Sequence, residues 1–97
     1  MREYEVMLIL PADADDSVVD GVVERITGVL SQRGGEVTNV DKWGRRRLAY
    51  EIARQSEGYY VVATFKSEPD VVLELERVLT LSDEVVRFKV VVRKAAA

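Results

Sequence analysis

A chain of 97 residues, 47% apolar and 7% aromatic, has room for one domain with one core. It holds no cysteine and no histidine, which excludes disulfides, thiolate metal sites and the usual general base near neutral pH. The net charge of −3 is unevenly spread: residues 1–36 carry three bases against eight acids, and residues 37–97 carry eleven against nine. The densest basic run is Lys42, Arg45, Arg46 and Arg47, with Arg54 further on. No stretch approaches the roughly 20 apolar residues of a membrane span. The lack of cysteine suits a reducing compartment, with the cytoplasm as the default expectation.

The chain has no internal repeat and no dividing linker, so residues 1–93 are expected to form a single domain, with residues 94–97 as a short disordered tail. Residues 2–10 predict a strand whose even set, Tyr4, Val6, Leu8 and Leu10, is buried. On the odd set, Glu3 and Glu5 give way to Met7 and Ile9. Asp15 or Asp16 caps a helix with an apolar stripe at Val18, Val19, Val22, Val23, Ile26, Val29 and Leu30, and Gly34 with Gly35 ends it. Asp13, Asp15 and Asp16 are read as helix-start acids rather than as a catalytic carboxylate pair. Residues 36–52 and 58–66 predict two strands joined by a turn over residues 54–57, with a bulge expected at Gly44 beside Trp43. Ser67, Pro69 and Asp70 start a second helix through Leu81, with stripe Val71, Val72, Leu75, Val78 and Leu79. Residues 84–93 predict a last strand, with Val86, Phe88, Val90 and Val92 inward.

The element order is therefore βαββαβ. Two right-handed crossovers and a central hairpin give an α+β, ferredoxin-like domain: a four-stranded antiparallel sheet, order 4-1-3-2, with both helices on one face. The other face stays open and must be wet or covered by a partner. If Phe65 is core, Tyr60, Val62 and Thr64 face outward on the third strand, and Arg87, Lys89, Val91 and Arg93 do so on the fourth. Apolar Met7, Ile9, Tyr60 and Val62 would then lie beside basic side chains. Arg45, Arg46 and Arg47, consecutive in a strand, send charge to both faces. Such charge discourages edge pairing and also suits phosphate contact.

Along nearly its whole length the chain resembles the bacterial small-subunit ribosomal protein six family. The resemblance rests on Met1-Arg2-x-Tyr4-Glu5, the Gly34-Gly35 turn, Trp43-Gly44-x-Arg46-Arg47-Leu48-Ala49-Tyr50-x-Ile52, Gly58-x-Tyr60 and Val85-Val86-Arg87. It implies a cytoplasmic, ribosome-bound structural protein that binds 16S ribosomal RNA in the central domain of the small subunit, jointly with small-subunit ribosomal protein eighteen. It implies no cofactor, no metal and no enzymatic reaction. Arg2, Arg46, Arg47 and Arg87 match basic positions of the family pattern and are expected RNA contacts, with Arg45 and Lys89 added from the strand pattern. Tyr60 and Val62 are expected to meet the protein partner. Trp43 sits where family members vary, and no role is carried over to it. Many relatives extend past the last strand in a tail that touches the partner; here Lys94 and three alanines remain.

Three other readings share this element order. An RNA-recognition motif needs a patterned aromatic third strand that residues 58–65 lack. An amino-acid-sensing module of the ACT type, the principal alternative, needs close backbone approach after the first strand. The loop from Pro11 to Asp16 has no glycine for it. The acids of the same loop would repel the phosphate that an acylphosphatase binds there.

Overall fold

The computed structural model describes residues 2–52 and 55–93, with the side chains at 48–52 and 55–56 left aside. The elements are β1 (Arg2–Pro11), α1 (Asp16–Gln32), β2 (Glu36–Ile52), β3 (Gln55–Ser67), α2 (Pro69–Thr80) and β4 (Arg87–Val92). All pairings are antiparallel and the strand order is β2-β3-β1-β4, the expected 4-1-3-2 sheet read from its other edge. β1 is central, as its apolar pattern predicts.

Tyr4, Val6, Leu8 and Leu10 of β1 are 0–5% exposed and pack with Val61, Ala63 and Phe65 of β3 under the two helices. Tyr4 and Phe65, opposite each other, stack with centroids 5.4 Å apart. Val19, Val22, Ile26 and Leu30 of α1 and Val71, Val72, Leu75 and Leu79 of α2 complete the core. Asp15 caps α1, its carboxylate accepting from the Val18 amide at 3.0 Å. At the other end Gly34, at φ 79°, allows the Gly35 amide to turn back to the Leu30 carbonyl at 2.7 Å, which ends the helix.

Several boundaries differ from expectation, most of them by one residue. Ser67 is the last residue of β3 rather than a helix cap: it pairs with Arg2, is 1% exposed, and its hydroxyl donates to the Glu68 carbonyl. Glu68 takes the cap position without a side-chain capping bond to the first amides of the helix, and Pro69 in the first turn has no amide to satisfy. β3 begins at Gln55, three residues before the expected start; Arg54 of the predicted turn lies outside the described residues, as does the predicted tail at 94–97. The polar residues Gln55 and Glu57 read as a turn but pair with Ile52 and Arg47. β4 starts at Arg87, because the Val85 amide bends back to Ser82 and Glu84 is held by Arg25 at 3.0 Å. Val92, expected inward, is 55% exposed at the end of this edge strand.

Candidate nucleic-acid interface

Side chains opposite one another in an antiparallel sheet share a face, so the register lays out the open side row by row. At one end a row crosses the sheet as Arg87, Ile9, Tyr60 and Gly44. The next row is Lys89, Met7, Val62 and Asp41, and the one after it Val91, Glu5, Thr64 and Asn39. The far row alternates charge: Arg93 pairs with Glu3 at 3.4 Å, and Lys66 lies between Glu3 and Glu36. The first two rows thus combine apolar, aromatic and basic groups, whereas the last neutralises itself.

β2 reaches this face through irregularities. Its register shifts between Val37 and Asn39 and again between Lys42 and Gly44, and Gly44 sits at φ 82°. Only glycine adopts that conformation without strain. Each extra residue flips the alternation, so outward positions change from Asn39 and Asp41 to Gly44 and Arg46. Trp43, the extra residue of the second bulge, lies nearly parallel to Tyr60, with centroids 6.3 Å apart and 4° between planes. Its indole N–H donates to Asp41 Oδ2 at 3.0 Å, and the Arg46 guanidinium carbon stands 5.2 Å over the ring. Trp43 remains 40% exposed.

The opposite side of this segment is fastened to the helical layer. Lys42 Nζ donates to Asp20 of α1 at 2.6 Å, and this carboxylate holds the ammonium above its ordinary value. Arg45 Nε donates to the Ala12 carbonyl at 3.2 Å, and by alternation Arg47 lies on the same side.

The expected RNA contacts therefore separate into three places. Arg46 lies on the open face at the β2 edge, and Arg87 and Lys89 lie on the same face at the β4 edge. Three strand spacings put these edges roughly 14 Å apart. Arg45 and Arg47 flank Arg46 from the helix-bearing side. Arg2 is apart from all of them, at the far end of β1 and on the helix-bearing side by its pairing with Ser67. Tyr60 is half-buried on the open face. Val62 shares that face but is only 7% exposed, because a short side chain on a central strand is flanked by Met7 and Asp41. A partner would reach this face through Met7, Ile9 and Tyr60. The sequence assigns no role to Trp43; the glycine after it signals the bulge, but not the ring it stacks upon. Among the described residues, no group of acidic side chains is arranged to hold a metal ion, and no helix is long and apolar enough to cross a membrane.

Comparison with known proteins gives a consistent match. The family model described as "Ribosomal protein S6" matches residues 3–92. The small ribosomal subunit protein bS6 of Carboxydothermus hydrogenoformans is 48% identical over 91 residues, covering 94% of this chain and 95% of that one. The bS6 protein of Mycolicibacterium paratuberculosis is 50% identical over 90 residues, covering 93% and 94%. The crystal structure of 30S ribosomal protein S6 from Thermotoga maritima superposes with a TM-score of 0.86 at 30% identity, covering 95% of this chain and 87% of the other.

Proposed function

The chain belongs to the ribosomal protein S6 family of the small ribosomal subunit, and on that premise we propose that it binds 16S ribosomal RNA in the central domain of the subunit, jointly with small-subunit ribosomal protein eighteen. The role is structural, without a reaction or a cofactor, and is exercised on ribosomes in the bacterial cytoplasm. The observation that carries this reading is the open face: apolar Met7 and Ile9 with Tyr60 at the centre, and Arg46, Arg87 and Lys89 at the two edges.

The basic edges meet phosphates, and Arg45, Arg47 and Arg2 extend the positive track beyond the face itself. The centre, with Tyr60 and the shielded Val62, meets the protein partner, where apolar contact outweighs charge. A chain with net charge −3 suits this division. It draws a basic partner by charge complementarity, and the combined surface then binds RNA.

The test is binding of a labelled central-domain RNA fragment, with and without protein eighteen, at several salt concentrations. The expected result is strong, salt-dependent binding only when the partner is present. Replacing Arg46 and Arg47 by alanine should weaken that binding and lower the slope of log affinity against log salt by about 1 to 2, at nearly unchanged thermal stability. Tight, specific RNA binding by the chain alone, or an unaltered slope in the double variant, refutes the assignment.

A further inference from the structure

We propose that Trp43 is a stacking platform for an unpaired nucleobase of the bound RNA, with Arg46 contacting a phosphate of the same stretch. This deepens the RNA-binding reading above and rests on it. Trp43 contributes nothing to the core: it lies on an edge strand, 40% exposed, on the face away from the helices. Its orientation is nevertheless fixed from two directions, by the hydrogen bond to Asp41 and by the parallel ring of Tyr60. A fixed and exposed indole loses little freedom when a second flat group settles on it.

The surroundings favour a base over an apolar protein side chain. Arg46 already lies over the ring at 5.2 Å, so a planar cation and an aromatic face occur together, the pairing that single-stranded nucleic acid uses. An exposed cation–π contact is weak and exchangeable. When a base takes the ring, the guanidinium is released to a neighbouring phosphate. Arg45 and Arg47 continue the charge along the strand, whereas Lys42 is occupied by Asp20. Asp41 opposes phosphate locally, but its carboxylate is engaged by the indole N–H and holds the platform in place. The apolar anchors for a protein lie inward of Trp43, from Tyr60 on the next strand to Met7 and Ile9 one strand further.

Because the chain has one tryptophan, its own fluorescence reports on the site. The experiment uses the complete chain with protein eighteen and the central-domain RNA fragment, comparing W43F and W43L with the unmodified protein. The W43F complex supplies the background that isolates the Trp43 signal. Trp43 emission should be quenched by RNA and not by protein eighteen alone. W43L should lose on the order of tenfold or more in RNA affinity. Its salt slope should be unchanged, since stacking releases no counterions, and W43F should stay within about threefold of the original. Full salt-dependent RNA binding by W43L with unquenched Trp43 overturns the platform and leaves the broader reading intact. Weakened pairing of W43L with protein eighteen in the absence of RNA assigns the ring to the protein and also overturns it. If the unmodified pair binds no RNA, both readings fail. The quenching measurement needs W43F only as its background and not W43L, so it decides the matter even if W43L folds poorly.

Discussion

Val61 and Val62 follow each other on β3 and are both nearly inaccessible, 0% and 7% exposed, yet they are buried by different means. Val61 lies beneath the helices among Leu8, Leu10 and the rest of the core. Val62 lies on the face that no helix covers, flanked across the strands by Met7 and Asp41. The first kind of burial has atoms on every side; the second is one layer of side chains with water above. One face of the sheet therefore carries the stability of the fold, and the other can change its side chains, and hence its partners, at small cost.

The sharpest test is the same substitution on each face. Val61→Ala leaves an enclosed gap and should cost about 2–3 kcal/mol, the sum of lost transfer and cavity terms. Val62→Ala leaves a groove that water and flexible Met7 can fill, and should cost about 1 kcal/mol. Denaturant unfolding of both variants, with equal slopes, would measure the difference. Equal losses would mean that the open face is packed as firmly as the covered one.

Much of this contrast is written in the sequence, because alternation is local. The even positions of β1 and the odd positions of β3 announce the covered face, and the helical stripes announce what covers it. The basic run was equally visible, as was the glycine marking its bulge. What could not be read was which residues meet across strands. That depends on the register, and the two shifts in β2 change its outward set midway. The pairing of Trp43 with Tyr60, 17 positions away along the chain, is a product of that shift. Ser67 departs from its expected place for a related reason. Its composition suits a helix cap, but pairing with Arg2 holds it in the sheet. Pairing over long range outweighed local preference there.

A second test attacks the device that separates β2 from regular strand behaviour. A Cβ at Gly44 would meet nothing within 4 Å, so space does not forbid a side chain. The φ of 82° does oppose it. Gly44→Val should destabilise the fold by about 1–2 kcal/mol through backbone strain alone. If the strand relieves that strain by losing the bulge, Trp43 leaves Tyr60, and its emission should shift in the folded protein. A variant with full stability and unchanged emission would show that the bulge is held by something other than glycine. The covered face should not register the change, so the unfolding slope is expected to stay constant.

The smallest expected effect comes from pH, and it too distinguishes the faces. The groups held away from their ordinary values belong to the helix-bearing side. Asp15 is lowered by the Ser17 hydroxyl and then by the Val18 amide, and Glu74 by Arg77. Glu84 is lowered by its own backbone amide and then by Arg25, and Lys42 is raised by Asp20. A carboxyl whose value is lower in the folded chain stabilises it above the unfolded value, and that contribution fades as pH falls through the folded one. Asp15, ordinarily at 3.8, and the two glutamates, ordinarily at 4.5, therefore make stability decline only on the acid side of that range. Lys42 has the opposite sign: its contribution is complete below 10.5 and is lost as pH rises through the higher folded value. With no histidine to titrate between these limits, stability should be flat from about pH 5.5 to 9.5. Asp15→Asn keeps a capping oxygen for Val18 but has no charge to lose, so it should flatten the acid limb while changing the neutral plateau little. Melting curves across pH compare this variant with the unmodified protein directly. An acid limb unaffected by Asp15→Asn would move the origin of the pH dependence away from the helix cap and toward Glu74 and Glu84, and a slope within the plateau would contradict the assignment to these groups altogether.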